Sequence, residues 1–176
     1  MDTGRTAQEL QVGDKASSSR QVTETDLALF ASATGDTNPI HFDQAYAEST
    51  FFKGRIAHGV LSAGFVSAVI ANRLPGLGTV YVSQDLKFLA PVRLGDTVTA
   101  QVEVLDVDRE RNRVRLRTTC TNQEGTTVLD GEAVVMPPKR KPSGELAQAM
   151  ARRAEQTARG LEEGTRAFAR AQGQAG

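Results

Sequence analysis

The stretch Ile56-Ala57-His58-Gly59-Val60-Leu61-Ser62-Ala63-Gly64-Phe65-Val66-Ser67-Ala68-Val69-Ile70-Ala71-Asn72 holds no Asp, Glu, Lys or Arg. Read as a helix, it is apolar or small on every face, and such a helix either crosses a membrane or lies at the centre of a core. It falls short of the roughly 20 residues that a bilayer requires. It also carries His58 and several Gly and Ser, and the chain has no second span to pair with it. A buried central helix is the expectation. Its small residues (Gly59, Ser62, Ala63, Gly64, Ser67, Ala68, Ala71) would let a sheet approach its backbone closely.

After Leu74-Pro75-Gly76 the period changes to two. Val80, Val82, Gln84, Leu86 and Phe88 alternate with Tyr81, Ser83, Asp85 and Lys87, and Val98, Ala100, Val102 and Val104 alternate with Thr97, Thr99, Gln101 and Glu103. Val114, Leu116, Thr118 and Cys120 alternate with arginines, and a last run covers Thr126 to Val135. Polar turns at Leu94-Gly95-Asp96, Asp108 to Asn112 and Asn122 to Gly125 separate the runs. Strict alternation gives one buried and one wetter face, as in an antiparallel sheet. One buried helix and a meander able to wrap it make an α+β layout. Cys120 falls on the inward set as a small core hydrophobe.

Upstream, Thr23-Glu24-Thr25-Asp26 has the form of a capping box, with Leu27, Phe30 and Ala31 at helical spacing behind it. That predicts a short helix ending near Gly35, and a second one opening at Asp43. Between them lies Gly35-Asp36-Thr37-Asn38-Pro39-Ile40-His41. Proline fixes its own φ and pushes Asn38 toward an extended conformation, so the first helix cannot run on. Two readings stand for this bend. Asp36 caps a turn and His41 is incidental, or a carboxylate and an imidazole are aimed at one point where they share a water.

The charge is balanced at 21 basic and 21 acidic residues, so no global field favours nucleic acid or an anionic membrane. The balance is uneven along the chain, with a mildly acidic body and a basic tail. A single cysteine excludes an intrachain disulfide, and a polar N-terminus without an apolar run argues against a signal peptide. The expectation is a cytoplasmic protein. Residues 139–144 read as a Pro-rich, basic linker. Residues 145–176 read as an Ala-, Arg- and Glu-rich tail, helical in part and solvated. Leu146, Met150, Leu161 and Phe168 lie near one face of it, which leaves docking to a partner or an amphiphilic surface as the second reading.

Gly35-Asp36-Thr37-Asn38-Pro39-Ile40-His41-Phe42-Asp43, with Ala45 and Ala47 beyond, resembles the hydratase motif of the MaoC-like (R)-specific enoyl-CoA hydratases. Ile56-Ala57-His58-Gly59, then Val80 to Pro91 and Leu94-Gly95-Asp96, continue the likeness in the same order, and it covers about residues 8 to 137. The resemblance implies a single hotdog fold over residues 1–138, with a sheet wrapped around a central helix. It also implies a homodimer with active sites at the subunit interface. The activity it implies is reversible syn hydration of trans-2-enoyl-CoA to (R)-3-hydroxyacyl-CoA, in fatty-acid or polyester precursor metabolism, with no cofactor. Asp36 and His41 would then hold the water, with their proton roles left open. Gly59 would donate its backbone N–H to the thioester oxygen, at the positive end of the central helix. Ser67 takes the place of the residue that orients the catalytic Asp, although a helix serine is also explained by bonding its own backbone. Asn38 is assigned to fixing the turn or to substrate, and His58 to a structural or substrate-facing place. A carboxylate set against an apolar helix is expected to be sheltered from water. Among Lys53, Arg55, Lys87 and Arg93 the residues that meet the pyrophosphate stay undecided, as does coenzyme A against acyl carrier protein.

Other functions fit less well. Asp36, His41, Asp43 and His58 are metal-ligand types, but no H-x-x-x-H or similar spacing joins them, so no metal is expected. Gly59-Val60-Leu61-Ser62 lacks the spacing of a nucleophile elbow. A thioesterase on the same fold would use the thioester pocket but leaves the Asp36 and His41 pairing unexplained. A non-catalytic acyl-CoA-binding or scaffold protein, working through its tail, leaves the whole dyad unexplained.

Overall fold

The computed structural model describes residues 4–142 and 144–171. Five antiparallel strands form one sheet: β1 (Lys15–Gln21), β2 (Val80–Phe88), β3 (Thr97–Asp108), β4 (Arg113–Thr121) and β5 (Thr127–Met136), in the spatial order β1-β3-β4-β5-β2. The helices are α1 (Glu24–Thr34), α2 (Pro39–Phe42), α3 (Gln44–Ser49), α4 (Gly59–Asn72) and α5 (Gly144–Ala171). α4 lies on the concave face, against β3 and also β1 and β4. This is the expected α+β architecture, an antiparallel sheet curved around a central helix.

The period-two residues of β3 and β4 behave as their alternation requires, whereas those of the edge strand β2 do not, since Val80, Val82 and Phe88 are about half exposed. Val98, Ala100, Val102 and Val104 of β3, and Val114, Leu116, Thr118 and Cys120 of β4, are all fully or almost fully buried. They meet Val66, Val69 and Ile70 of α4 in one core, which Leu10, Val22 and Leu27 close from the N-terminal side. The polar member of the set is satisfied across a strand, because Gln84 Nε2 of β2 donates to Thr118 Oγ1 at 3.0 Å. β5 provides the close approach this needs. A Cβ on Gly131 would overlap the carbonyl oxygen of Asp85 on β2, so only glycine fits.

Four other expectations change. The central helix is not covered on every side: Val60, Gly64, Ala68 and Ala71 are exposed on one flank, because a five-stranded sheet reaches round only part of it. β1 was not anticipated at all. Its sequence Lys-Ala-Ser-Ser-Ser-Arg-Gln has no apolar alternation, since an edge strand with few buried side chains needs only its ladder to Thr97–Glu103 of β3. The bend at Pro39 holds one turn of helix, with proline in the first turn and Asn38 as its cap. The tail is one continuous helix over its described residues, with none of them buried, and its later part touches α1. Lys141 pairs with Glu9 at 2.7 Å near its base.

Both short helices flanking the bend start as their sequences predict. Thr23 and Asp26 bond each other's backbone N–H at the start of α1, and Gly35 ends it with φ 78°, a left-handed conformation suited to glycine. Asp43 caps α3 by accepting from Tyr46 N–H at 3.0 Å. The segment from Asp36 to His41 is thus held at both ends.

Candidate active site

Two segments far apart in sequence are laced together beside the N-terminus of α4. Arg55 Nε donates to the carbonyl of His41 at 2.8 Å, and Ile56 N–H reaches the carbonyl of Ile40 at 3.4 Å. His41 Nδ1 bonds the carbonyl of Ile56 at 2.8 Å, and His58 Nε2 bonds the carbonyl of Asp36 at 3.0 Å. The two histidines form a reciprocal clasp, each segment lending an imidazole to the other's backbone. A carbonyl only accepts, so the bonded ring nitrogens carry the protons. Neutral His41 therefore keeps its lone pair on Nε2, and neutral His58 keeps its own on Nδ1.

The rings of His41 and His58 stack at a centroid distance of 3.8 Å and 30°, and Phe30 of α1 covers His58 at 4.7 Å. His58 is 2 % exposed and its Nδ1 has no hydrogen-bond partner among the described residues. Burial pushes its pKa down, with the nearby His41 as a lesser cause, so the neutral form is favoured. His58 is thus enclosed by Phe30 and His41 and tied to the carbonyl of Asp36. Asn38 caps the turn of helix that follows it, its Oδ1 accepting from Ile40 N–H at 3.1 Å.

Asp36, His41 and His58 each offer a ligand-type atom, all within 4.8 Å of one another. Such a set is able to hold a water between a carboxylate and an imidazole. A metal would have to use the ring nitrogens not already donating to carbonyls, and His58 Nδ1 is closed in. His41 is buried, but Asp36 is exposed, so the expected shelter for this carboxylate is not supplied by its own chain.

Gly59 opens α4 with no side-chain cap among the described residues, and the Leu61 N–H is taken by the His58 carbonyl at 3.0 Å. A Cβ there would lie 3.2 Å from the Phe88 ring. An apolar pocket of about 340 Å³ begins at Gly59 and is lined by Phe51, Phe52, Ser62, Phe88 and Val128. Ser62, named above only as a small residue of the helix, is buried one turn into α4 and lines this pocket. Its i+3 spacing from Gly59 would have placed it on the same face. Ser67, by contrast, is half-buried and makes no hydrogen bond to Asp36 among the described residues. A larger polar cleft of about 950 Å³ opens at the other end of α4, beside Lys15 and Arg73.

Two of the four candidate cations lie next to carboxylates. Arg55 makes a two-pronged bond to Glu24 at 2.7 and 2.6 Å as well as holding the His41 carbonyl. Lys87 lines a cleft with Asp85, Asp130 and Glu132 on the sheet.

A sheet curved around a central helix is the hotdog arrangement, and an Asp–His pair lies beside the start of that helix. The MaoC like domain matches residues 6–126. An (R)-specific enoyl-CoA hydratase of Rhodospirillum rubrum is 53 % identical over 133 residues, covering 76 % of this chain and 92 % of that protein. A 3-hydroxybutyryl-CoA dehydratase of Methylorubrum extorquens is 46 % identical over 143 residues, covering 81 % and 90 %. The solved unliganded R-hydratase PhaJ1 of Pseudomonas aeruginosa superposes with a TM-score of 0.75 at 50 % identity, covering 82 % of this chain and 93 % of that one. The chain belongs to the MaoC-like dehydratase family. No helix among the described residues is long and apolar enough to cross a membrane.

Proposed function

We propose that this protein is an (R)-specific enoyl-CoA hydratase, adding water reversibly and syn across the C2–C3 bond of a trans-2-enoyl-CoA. The observation that carries the reading is the Asp36 carboxylate and His41 imidazole converging beside the uncapped start of α4, next to an apolar pocket. Water adding to C3 must lose a proton while C2 gains one, and the negative charge that builds on the thioester oxygen needs a donor. Asp36 and His41 together hold the water and exchange the protons. Because both lie together, hydroxyl and proton reach the same face of the double bond. On His41 the exchanging atom is Nε2, since the proton on Nδ1 stays with the Ile56 carbonyl. Gly59 N–H, aided by the helix dipole, faces the thioester oxygen. Ser67 keeps its proposed task of orienting Asp36, and reaching it requires a neighbour or a movement that the single chain does not supply.

The working unit in this reading is a homodimer. β2 is a sheet edge, and Val80, Val82 and Phe88 on it are about half exposed. A long apolar edge invites pairing, and a second copy of the same strand satisfies it. The same contact would cover the open flank of α4 and shelter Asp36. The tail helix lies beyond the matched residues 6–126 and is assigned no part in the chemistry.

Crotonyl-CoA tests the reading. Loss of the conjugated enoyl-thioester absorbance without release of free thiol supports hydration. Thiol release would make the protein a thioesterase, and no change in either signal would leave only a binding module.

A further inference from the structure

The turn that borders the apolar pocket carries two cations that the proposed chemistry does not use. Lys53 is exposed and has φ 56°, a left-handed conformation that side chains larger than glycine rarely adopt. Gly54 follows it with φ 151°. Arg93, from the segment before β3, lies along the same turn: its Nη2 donates to the Phe52 carbonyl at 2.6 Å, and its Nη1 would lie 3.0 Å from any Cβ on Gly54. Neither Lys53 nor Arg93 forms an ion pair among the described residues, whereas Arg5, Lys15, Arg20 and Arg55 each do. Beside them Phe51 is 83 % exposed, with its ring 3.8 Å from that of Phe52, and both phenylalanines line the pocket that begins at Gly59.

We infer that Lys53 and Arg93 form the anion site of this enzyme and bind the phosphates of coenzyme A, with the ring of Phe51 beside them for the nucleotide base. The inference rests on the enoyl-CoA reading above. Strained backbone persists where its surroundings hold it, and it concentrates at ligand-binding positions. Here the Lys53 N–H bonds the Thr50 carbonyl at 3.2 Å, and Arg93 braces the same turn through the Phe52 carbonyl. Neither charge meets a carboxylate among the described residues, and Phe52, which follows Phe51 and precedes Lys53 and whose carbonyl Arg93 holds, lines the cavity proposed for the acyl group. Of the four cations open on sequence grounds, Arg55 is neutralised by Glu24 and Lys87 lies among carboxylates, which leaves these two. A phosphate on a pantetheine arm occurs in both coenzyme A and acyl carrier protein. An exposed aromatic ring next to paired cations matches a nucleotide, which only the former carries.

The test compares wild type with Lys53→Gly, which suits the positive φ, and with Arg93→Gln, which keeps an amide donor for the Phe52 carbonyl. Steady-state kinetics use crotonyl-CoA, crotonyl-pantetheine (which lacks every phosphate) and a crotonyl-acyl carrier protein. The expected result is a KM for crotonyl-CoA raised about tenfold in each variant, the size of one lost charge-assisted contact, with kcat held and crotonyl-pantetheine unaffected. Rising salt should shrink the difference. An unchanged KM for crotonyl-CoA overturns the inference, as does an equal rise on both small substrates, which would mean that only the turn's shape had changed. A rise confined to the carrier-protein substrate overturns coenzyme A as the source. Calorimetric titration with coenzyme A alone reads the site without turnover, and weaker binding by both variants is required there too. If wild type binds coenzyme A but hydrates neither small substrate, the hydratase reading fails while the anion site stands.

Discussion

The imidazole of His58 lies against that of His41 with centroids 3.8 Å apart, while its Nε2–H holds the carbonyl of Asp36. One buried ring thus touches both members of the proposed dyad. His58→Phe keeps the stack and loses the bond to Asp36, and His58→Gln keeps a donor and loses the stack. Each is expected to lower kcat by about tenfold to a hundredfold with KM little changed, the scale of a misplaced reacting group. Loss of KM alone would return His58 to substrate binding.

The same residue predicts an acid limit on stability. Its pKa is lowered in the fold, so the unfolded chain binds more protons once the pH drops below the ordinary histidine value of about 6.5. The stabilisation is present above that pH and is lost as pH falls toward the lowered folded value. Thermal midpoints between pH 7 and 5 should fall further for wild type than for His58→Phe. Parallel curves would remove His58 as the cause.

Gly59→Ala places a methyl 3.2 Å from the Phe88 ring and beside the proposed oxyanion donor. Phe88 is half exposed and can shift, so folding should survive. Hydration of crotonyl-CoA should drop by about 10²-fold, comparable to the loss of one oxyanion donor. Full activity in this variant would dissociate Gly59 from the chemistry.

Cys120 is fully buried on β4, with Sγ 3.6 Å from the Ser62 carbonyl, and burial pushes its thiol up to about 12. At pH 8 it should resist maleimide in the native protein and react on addition of urea. Its contribution to stability is constant below about pH 8.5 and is lost as pH rises from there toward 12. Rapid native labelling would contradict the buried placement.

The sequence carried more of the sheet than of the site. β3 and β4 were legible because one face of each meets α4, so Val98 to Val104 and Val114 to Cys120 had to alternate. β1 was not, because Ser17 to Ser19 sit on an edge where backbone pairing alone suffices. Asp36 and His41 were legible as residues. The clasp between them and 55–58 was not, because its acceptors are backbone carbonyls, and every residue has one. Ser67 was placed by resemblance, and among the described residues no hydrogen bond joins it to Asp36. The bond of Arg55 to Glu24 links α1 to the segment before α4, a pairing that no local spacing announces.

Asp36→Asn and His41→Gln, assayed on crotonyl-CoA with chiral analysis of the product, test the central claim most directly. Each change keeps the approximate shape of its side chain and removes its acid–base capacity. The account predicts (R)-3-hydroxybutyryl-CoA from wild type and a fall of about 10²–10⁴-fold in kcat for each variant, with retained folding. Because the two groups act as one unit, the double variant should be little worse than either single one. Near-full hydration by either variant would contradict the dyad.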